Sequence, residues 1–283
     1  MNSIRLALCT VAVCLAMPAA AVPAPSSFSF GTQTSVTGAD VWSNSSSTKY
    51  NPINGTNYGN IRTYTAAGGM TANVSAWGST GGVGGFGGTL QTGFVGVYGG
   101  NDLGITSRPI TGNAELDGSN NPLVPQHAID NNGGYESLLF SFQSAVTLNS
   151  VSIGFPAAGT LDSDATVLVY TGAGDPTSTL SVRTYADLLT HGWQVASNLF
   201  NMVPGTAGTL STPTSSKYWM VGAFMNLGGN SQTGGNDSTF DYIKVNGITV
   251  TPKLGVPEPG SLALLGIASL GLLFRRRKGA RAV

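Results

Sequence analysis

The sequence predicts an all-β protein: a single antiparallel β-sandwich or jelly-roll-like domain with one short helix, flanked by an N-terminal signal helix and a C-terminal transmembrane helix. Three observations predict this fold class. Many short segments alternate apolar and polar residues with the period of two that a half-buried strand requires. Turn-forming residues recur between these segments, with 40 glycines and 14 prolines in 283 residues. Only one segment of the body carries both a helix start and a helix stop signal.

The first 21 residues have the features of a Sec-type signal peptide. Arg5 supplies the basic start, an apolar run extends from Leu6 to about Met17, and small residues follow at Ala19–Ala21. The apolar run is too short to span a bilayer, and the A-x-A pattern is typical of a signal peptidase site. We therefore predict export, with cleavage after Ala21.

Both cysteines, Cys9 and Cys14, lie in this signal segment. The exported body therefore has no disulfide, and its core must stabilise it, aided by any metal ion it binds.

The formal net charge of zero hides an acidic body. Six of the 13 Lys and Arg residues and one of the 13 Asp and Glu residues lie in the two ends, which leaves 12 acidic against 7 basic residues. A body with a net charge near −5 argues against nucleic acid, which needs clustered Lys and Arg. It suits a setting with divalent cations.

The clearest strand patterns lie in the second half of the body. In the segment 146–153 the apolar phase shifts between Leu148 and Val151, which predicts a β-bulge. Asn246-Gly247 predicts a two-residue hairpin within 240–250. The strand segments are 135–142, 146–153, 165–170, 218–224 and 240–250.

Two further segments differ from this strand pattern. Eleven of the 23 residues in 78–100 are glycine, which predicts a mobile loop or a very open hairpin because such a segment has few side chains to bury. Thr184 and Asp187 form a capping box, and Gly192 supplies a left-handed stop, so we predict one short helix between them.

The C-terminal tail, residues 256–281, has three parts. Val256-Pro257-Glu258-Pro259-Gly260 must be extended, because each proline excludes helix before it. An apolar helix of 14 residues, 261–274, follows. The basic cluster Arg275, Arg276, Arg277 and Lys278 then predicts a cytoplasmic end, with the body outside. The apolar run is short against the roughly 20 residues of a permanent span, so processing is favoured over lifelong insertion.

This tail closely resembles the PEP-CTERM sorting signal of Gram-negative bacteria, and Pro257, Glu258 and Pro259 match its motif residue for residue. The resemblance implies that a membrane-embedded exosortase recognises and processes the tail. The body would then be released to, or attached at, the cell surface, often in organisms that make extracellular polysaccharide. The predicted organisation is a signal peptide at 1–21, a β-sandwich domain at 22–255 and a sorting signal at 256–281.

A second resemblance lies in the body, across about residues 100–200. Asp102-Leu103-Gly104-Ile105, the segment 125–131 and the segment 138–142 look like a group of exosortase-dependent surface proteins, and similar short matches continue to Gly192-Trp193. That resemblance implies a protein class and a location. The group has no established biochemical activity that could be carried over to this chain.

No catalytic or cofactor-binding residue is predicted. The sequence has neither a Gly-x-Ser-x-Gly elbow nor a His-Glu-x-x-His zinc motif, and His191 at the helix end suits a structural role. Asp162 and Asp164 would share one face of an extended segment, where turn capping, calcium binding and glycosidase-type catalysis are all open. Asp130 precedes a flexible Asn-Asn-Gly-Gly turn, so we predict Asp130, Asp162 and Asp164 as candidate calcium ligands.

The predicted function is that of an exported, non-catalytic cell-surface or extracellular-matrix protein sorted by an exosortase. Its partners would be signal peptidase and exosortase, with transient anchoring in the inner membrane. The alternative is a module that binds carbohydrate or exopolysaccharide, and a secreted hydrolase is a third hypothesis. An exposed row of tryptophans would favour the module; the candidates are Trp42, Trp77, Trp193 and Trp219.

Overall fold

A computed structural model gives the arrangement of the body. It describes residues 23–30, 35–37, 61–79, 88–99, 101–106, 127–132, 134–156, 161–227, 240–253 and 266. The chain divides into one compact unit, Ala24–Lys253, and a second unit formed by Met1–Pro23 and Leu254–Val283. All but two of the described residues belong to the first unit, and the fold is that of this unit.

Strands make up most of the described part of the first unit, with one 3₁₀ helix at Thr177–Val182 and one helix α1 at Tyr185–Leu188. The strands are β1 Ser26–Ser29, β2 Ser35–Thr37, β3 Ile61–Thr65, β4 Thr71–Ser79, β5 Leu90–Thr92, β6 Phe94–Tyr98, β7 Asp102–Thr106, β8 Ile129–Asp130, β9 Glu136–Phe155, β10 Ala165–Tyr170, β11 Trp193–Leu199, β12 Ala207–Thr209, β13 Ser216–Ala223 and β14 Tyr242–Pro252.

The all-β antiparallel class is confirmed, but the strands form one connected open sheet rather than two separate sheets. Its main path runs β11-β10-β13-β9-β14-β7-β6. The reason is the length of β9, whose 20 residues serve two sets of neighbours. Its first half pairs with β4 and β13, and its second half pairs with β14 and β12.

The predicted phase shift in β9 is confirmed. Leu148 and Val151 are both buried although they lie three positions apart, an odd offset that would place them on opposite faces of a regular strand. The pairing with β14 jumps from Ser150 to Leu148, so that Asn149 is skipped. This bulge shifts the alternation of side chains by one residue, so that the apolar residues before it and after it all face the core.

Alternate residues of the central strands enter two hydrophobic clusters. The first contains Phe140 of β9 and Trp219 and Val221 of β13. The second contains Leu139 of β9 and Met220 of β13, which face the opposite side of the sheet because side chains alternate along a strand. Leu180, Tyr185 and Leu188, from the two helices, cover this second face.

The short helix begins where the sequence predicts but ends earlier, at Leu188, and turns continue from there to Gly192. The Thr184 hydroxyl accepts from the Asp187 amide at 3.1 Å, and the Asp187 carboxylate accepts from the Thr184 amide at 3.1 Å. Gly192 has a φ of +86°, the left-handed conformation that stops the chain from continuing as helix.

Of the two interpretations of 78–100, the open hairpin agrees with the described residues, because β4 and β5 pair antiparallel. The mobile-loop interpretation is wrong for the residues of β5 and β6. Here glycine provides room rather than flexibility. Gly96 of β6 pairs with Gly104 of β7. A Cβ at Gly96 would meet the Tyr98 ring at about 2.5 Å, and one at Gly104 would clash first with the His127 carbonyl oxygen and then with the Tyr98 ring at 2.8 Å. Both glycines therefore make space for this aromatic ring.

The hairpin prediction at Asn246-Gly247 is also wrong. The strand β14 continues through both residues, and its pairing with β9 moves from Val245 directly to Gly247. Asn246 lies in a bulge, where its side-chain amide donates to Asp102 at 2.7 Å. A tertiary hydrogen bond thus replaces the turn that the dipeptide alone favours.

The predicted terminal segments lie outside the described residues, apart from Gly266, an exposed residue in helix. These segments are the signal peptide 1–21, the motif Pro257-Glu258-Pro259, the apolar helix 261–274 and the basic cluster 275–278. In the part of the chain that the structure describes, no helix has both the length and the apolar character to span a bilayer.

The central position of Phe140 generates a stability prediction. Its side chain is fully buried and contacts the Phe30 ring at a centroid distance of 5.9 Å. We expect Phe140→Ala to lower the free energy of unfolding by about 3–5 kcal/mol, measured by urea denaturation. Val182→Ala is the control, because Val182 is 67% exposed, and its effect should stay within about 0.5 kcal/mol. Similar losses in both variants would contradict the assignment of Phe140 to the core.

Candidate functional site

Three aspartates meet where two strands begin. Asp162 and Asp164 precede β10, and Asp241 precedes β14. A parallel bridge joins Asp162 to Asp241, and the Tyr242 amide donates to the Asp162 carbonyl at 3.0 Å. Each of the three residues offers a carboxylate oxygen, and these oxygens all lie within 4.8 Å of one another. We call this group the Asp162–Asp164–Asp241 centre.

Backbone and amide donors orient the three carboxylates. The Asp162 carboxylate accepts from the Ser163 amide at 2.9 Å, and the Asp164 carboxylate accepts from the Asn201 amide. The Asp241 carboxylate accepts from the Asp164 amide at 3.1 Å and from the Asn131 side chain at 2.8 Å. Each carboxylate oxygen has two lone pairs, so these bonds fix the groups and leave acceptor capacity for a cation.

The centre is closed off from solvent, since all three aspartates are at most 3% exposed. Burial raises the pKa of Asp241 to about 8, and the neighbouring carboxylates of Asp164 and Asp162 add to the shift. Like charges in a low-dielectric environment repel strongly and favour either a bound proton or a bound cation. The arrangement thus brings three carboxyl groups together at one buried point, where a proton or a cation must compensate their charge.

Asp130 lies beside this centre and is not one of the three. It pairs with Tyr242 across β8 and β14, and its amide donates to Glu136 at 3.3 Å. Burial raises the pKa of Asp130 well above its usual range, and the Glu136 carboxylate raises it further. Its own carboxylate accepts from the Asn132 amide at 2.9 Å, which is the turn-capping geometry. Its role as a metal ligand stays a prediction.

Sequence reasoning singled out Asp162 and Asp164 and missed Asp241. The signal was present, because Asp241 stands directly before a strand, as Asp164 does. Asn131, next to Asp130, also contributes, since its side chain bonds both Asp241 and the Phe224 carbonyl. The sequence alone does not predict these two contacts, because Asn131 lies 93 residues from Phe224 and 110 residues from Asp241.

The two histidines lie apart from the aspartate centre. His127 stacks on Tyr98 at a centroid distance of 4.2 Å, and its Nδ1 is buried with no hydrogen-bond partner. Burial and the nearby Lys244 ammonium lower the pKa of His127 to about 4. His191 is exposed, and its Nδ1 lies 2.8 Å from the Asp187 carbonyl at the end of α1. That contact suits the structural role predicted for it.

The tryptophans that the structure describes do not form an exposed row. Trp77, Trp193 and Trp219 are each at most 7% exposed and belong to the two hydrophobic clusters. Trp42 lies outside the described residues. Of the Tyr218-Trp219 pair, Trp219 points into the core and Tyr218 is partly exposed.

A groove crosses the sheet on the side of Tyr218. It has a volume of about 690 Å³ and runs over β3, β4, β9 and β13. Side chains from these strands form its floor, and Asp175 and Thr177, which follow β10, form one wall. A second cavity of about 410 Å³ adjoins it, and Tyr218 lines both.

Comparison with known protein families identifies the C-terminal segment. Residues 255–278 match the PEP-CTERM protein-sorting motif. This chain carries a PEP-CTERM sorting signal. The match confirms the resemblance of the tail and implies export that depends on an exosortase, with association at the cell surface. Neither the curated proteins nor the solved structures include a match to the chain. The PEP-CTERM motif covers the tail alone, so the likeness of the body to exosortase-dependent surface proteins stays a prediction.

The buried imidazole of His127 generates a pH prediction. An unfolded histidine has a pKa near 6.5, so between about pH 6.5 and 4 the unfolded chain binds more protons than the folded one. The stability from neutral His127 is complete above pH 6.5 and is lost as the pH falls. We expect a loss of about 1–2 kcal/mol at pH 5 from this group, reduced by its partial exposure.

Urea denaturation at pH 7.5 and 5 tests this, with the wild type compared with His127→Gln. The difference isolates His127 from Asp130 and Asp241, whose raised pKa values act in the opposite direction. Val182→Ala, which removes no titratable group, is the control and should keep the wild-type pH profile. An unchanged profile in His127→Gln would contradict the assignment.

Proposed function

We propose that this protein is an exported, non-catalytic component of the cell surface or extracellular matrix whose body is stabilised by a calcium ion in the Asp162–Asp164–Asp241 centre. The observation that carries the proposal is the convergence of three buried carboxylates within 4.8 Å. Burying charge in this way is costly unless a partner compensates it. A divalent cation compensates all three groups at once.

The donor set favours a hard cation. Aspartate oxygens are ligands for Ca²⁺ and Mg²⁺, whereas Zn²⁺ prefers sites with His or Cys. Calcium takes six to eight oxygens in flexible geometry, so carbonyl oxygens and water would complete its shell. Magnesium demands a near-ideal octahedron and suits an irregular meeting of loops less well.

The burial of the centre supports a non-catalytic role. A glycosidase places its two carboxyl groups on either side of a substrate, which requires an accessible cleft. Asp164 and Asp241 have no exposed surface, and Asp162 is 3% exposed. No substrate reaches such a site without local unfolding. The carboxylates also bond to backbone amides that hold strand ends in place, which suits a structural centre.

The sorting signal gives the route to the surface. Signal peptidase would remove residues 1–21, and the apolar tail segment would hold the body transiently at the inner membrane. Exosortase would then process the tail near Pro257-Glu258-Pro259. The finished body would be released to, or attached at, the cell surface.

Calcium binding predicts a melting temperature that depends on calcium. At a calcium concentration 100-fold above the dissociation constant, the stabilisation is about 2.7 kcal/mol, or several degrees for a domain of this size. Differential scanning calorimetry of the full chain in calcium and in EDTA measures this shift. An unchanged midpoint would overturn the calcium proposal and leave the sorting assignment intact.

Asp164→Asn tests which residues form the centre. Its amide oxygen can still accept from Asn201, while one negative charge is lost. We therefore expect this variant to lose the calcium response and to be at least as stable as the wild type in EDTA, where carboxylate repulsion is relieved. Asp130→Asn is the matched buried control; a retained response excludes Asp130 as a ligand, and a lost one includes it. A full calcium response in Asp164→Asn would contradict the centre.

The sorting signal predicts the fate of a motif variant. Changing Pro257, Glu258 and Pro259 together to alanine should prevent processing, so that unprocessed precursor accumulates in the membrane fraction. Immunoblotting of membrane and surface fractions from the native host measures the distribution. Pro213→Ala, a proline change within the body, should be sorted like the wild type. Normal surface delivery of the triple variant would exclude recognition through these residues.

A further inference from the structure

The floor of the groove is a straight row of polar side chains. Thr63 pairs with Asn73, Asn73 with Ser141, and Ser141 with Tyr218, so one residue from each of four adjacent strands stands side by side. With about 4.8 Å between strands, the row spans roughly 14 Å, longer than a single sugar ring. The Thr63 hydroxyl donates to Asn73 at 2.8 Å, which aligns the two side chains.

The side of the sheet that carries the groove is polar at the groove and apolar beyond it. Along β4, Ala72 and Val74 face the first cluster, while Thr71 and Asn73 face the groove. Further along, the same face is covered by the 3₁₀ helix and α1 over the second cluster. The groove is therefore the uncovered part of a face whose other part is core.

Tyr218 is the aromatic element of the groove. Its ring meets Tyr170 edge to face at 6.0 Å, and Asp175 lines the same groove. Asp175 is itself fixed, since it accepts from the Thr177 amide at 2.8 Å and from the Thr177 hydroxyl at 2.7 Å. The Tyr170 ring thus supports the phenol ring of Tyr218, which lines both cavities. A contact of this kind limits the freedom of the ring and so reduces the entropy cost of binding.

The chemistry of the groove selects an uncharged, hydroxyl-rich ligand. Serine, threonine and asparagine side chains both donate and accept hydrogen bonds, as sugar hydroxyls do. The apolar face of a sugar ring packs against an aromatic ring. Among the described lining residues Asp175 is the one charged group, which disfavours anionic ligands. A peptide cannot add as a strand, because the floor consists of side chains and the backbone groups beneath them are already paired.

We propose that this groove binds a short segment of a neutral polysaccharide, with Tyr218 as the stacking platform and Asn73, Ser141 and Gln143 as hydrogen-bonding residues. The volume of about 690 Å³ lies within the usual range of ligand sites, roughly 300–1,000 Å³. The row of four side chains is longer than one sugar ring, so the site suits a segment of several sugar units. This binding does not depend on the calcium centre.

The test is isothermal titration of the full chain with neutral tetrasaccharides of glucose, mannose and galactose, and with an anionic tetrasaccharide of galacturonate. We expect at least one neutral ligand to bind and the anionic one to bind more weakly. Tyr218→Ala should weaken binding at least tenfold, and Tyr218→Phe, which keeps the ring, should change it less than Tyr218→Ala does. Val203→Ala, exposed and remote from the groove lining, should bind like the wild type.

Asn73→Ala and Gln143→Ala keep the proposal testable if Tyr218→Ala does not fold, because both residues are exposed and lie in neither hydrophobic cluster. We expect each to weaken binding several-fold while its melting temperature stays that of the wild type. Absence of binding to every neutral ligand, preference for the anionic one, or binding unaffected by the groove variants would each overturn the proposal. Calorimetry in calcium and EDTA, measured on the same samples, separates this result from the fate of the calcium centre.

Discussion

The double pairing of β9 is the constraint on which the rest of the structure depends. One 20-residue strand lies between β4 and β13 along its first half and between β14 and β12 along its second. Its alternation in the first half divides apolar residues between two clusters, with Phe140 on one side and Leu139 on the other. The bulge at Asn149 then corrects the phase, so that Val151 and Ile153 remain in the first cluster. Without this correction the second half would present polar residues to the core.

The aspartate centre is coupled to this sheet through the backbone. The Asp164 amide donates to the Asp241 carboxylate, and the Asp164 carbonyl accepts from the Phe224 amide just beyond β13. Asn131, after β8, bonds Asp241 from the other direction. Repulsion among the carboxylates therefore acts on the ends of four strands, and relief of that repulsion stabilises all of them together. A chain with no cysteine in its body has few other ways to join these ends.

Local patterns predicted what depends on neighbouring residues. The capping box of Thr184 and Asp187, the phase shift in β9 and the Pro-Glu-Pro tail are all local, and all three are confirmed. Predictions failed where a distant partner decides the outcome. Asn246-Gly247 favours a turn by itself, but Asp102, 144 residues away, holds Asn246 in a bulge. The glycines of 78–100 indicated flexibility, whereas at Gly96 the Tyr98 ring required the space. Asp241 reaches the other two aspartates through a bridge to Asp162, and the distance between these residues in the sequence gives no sign of that contact.

On the proposed function, export takes the body to the place where a weak calcium site would be occupied. Calcium sites of extracellular modules bind at about 10⁻⁴–10⁻³ M, far more weakly than intracellular sensors. A centre of this class contributes little where calcium is scarce and becomes stabilising where calcium is abundant. On this proposal, the sorting signal directs the body to the cell surface, where calcium is abundant. A bound calcium ion would there relieve the repulsion among the three carboxylates. The polar groove is lined by none of the three aspartates, so a ligand there and a cation in the centre would act on separate parts of the sheet.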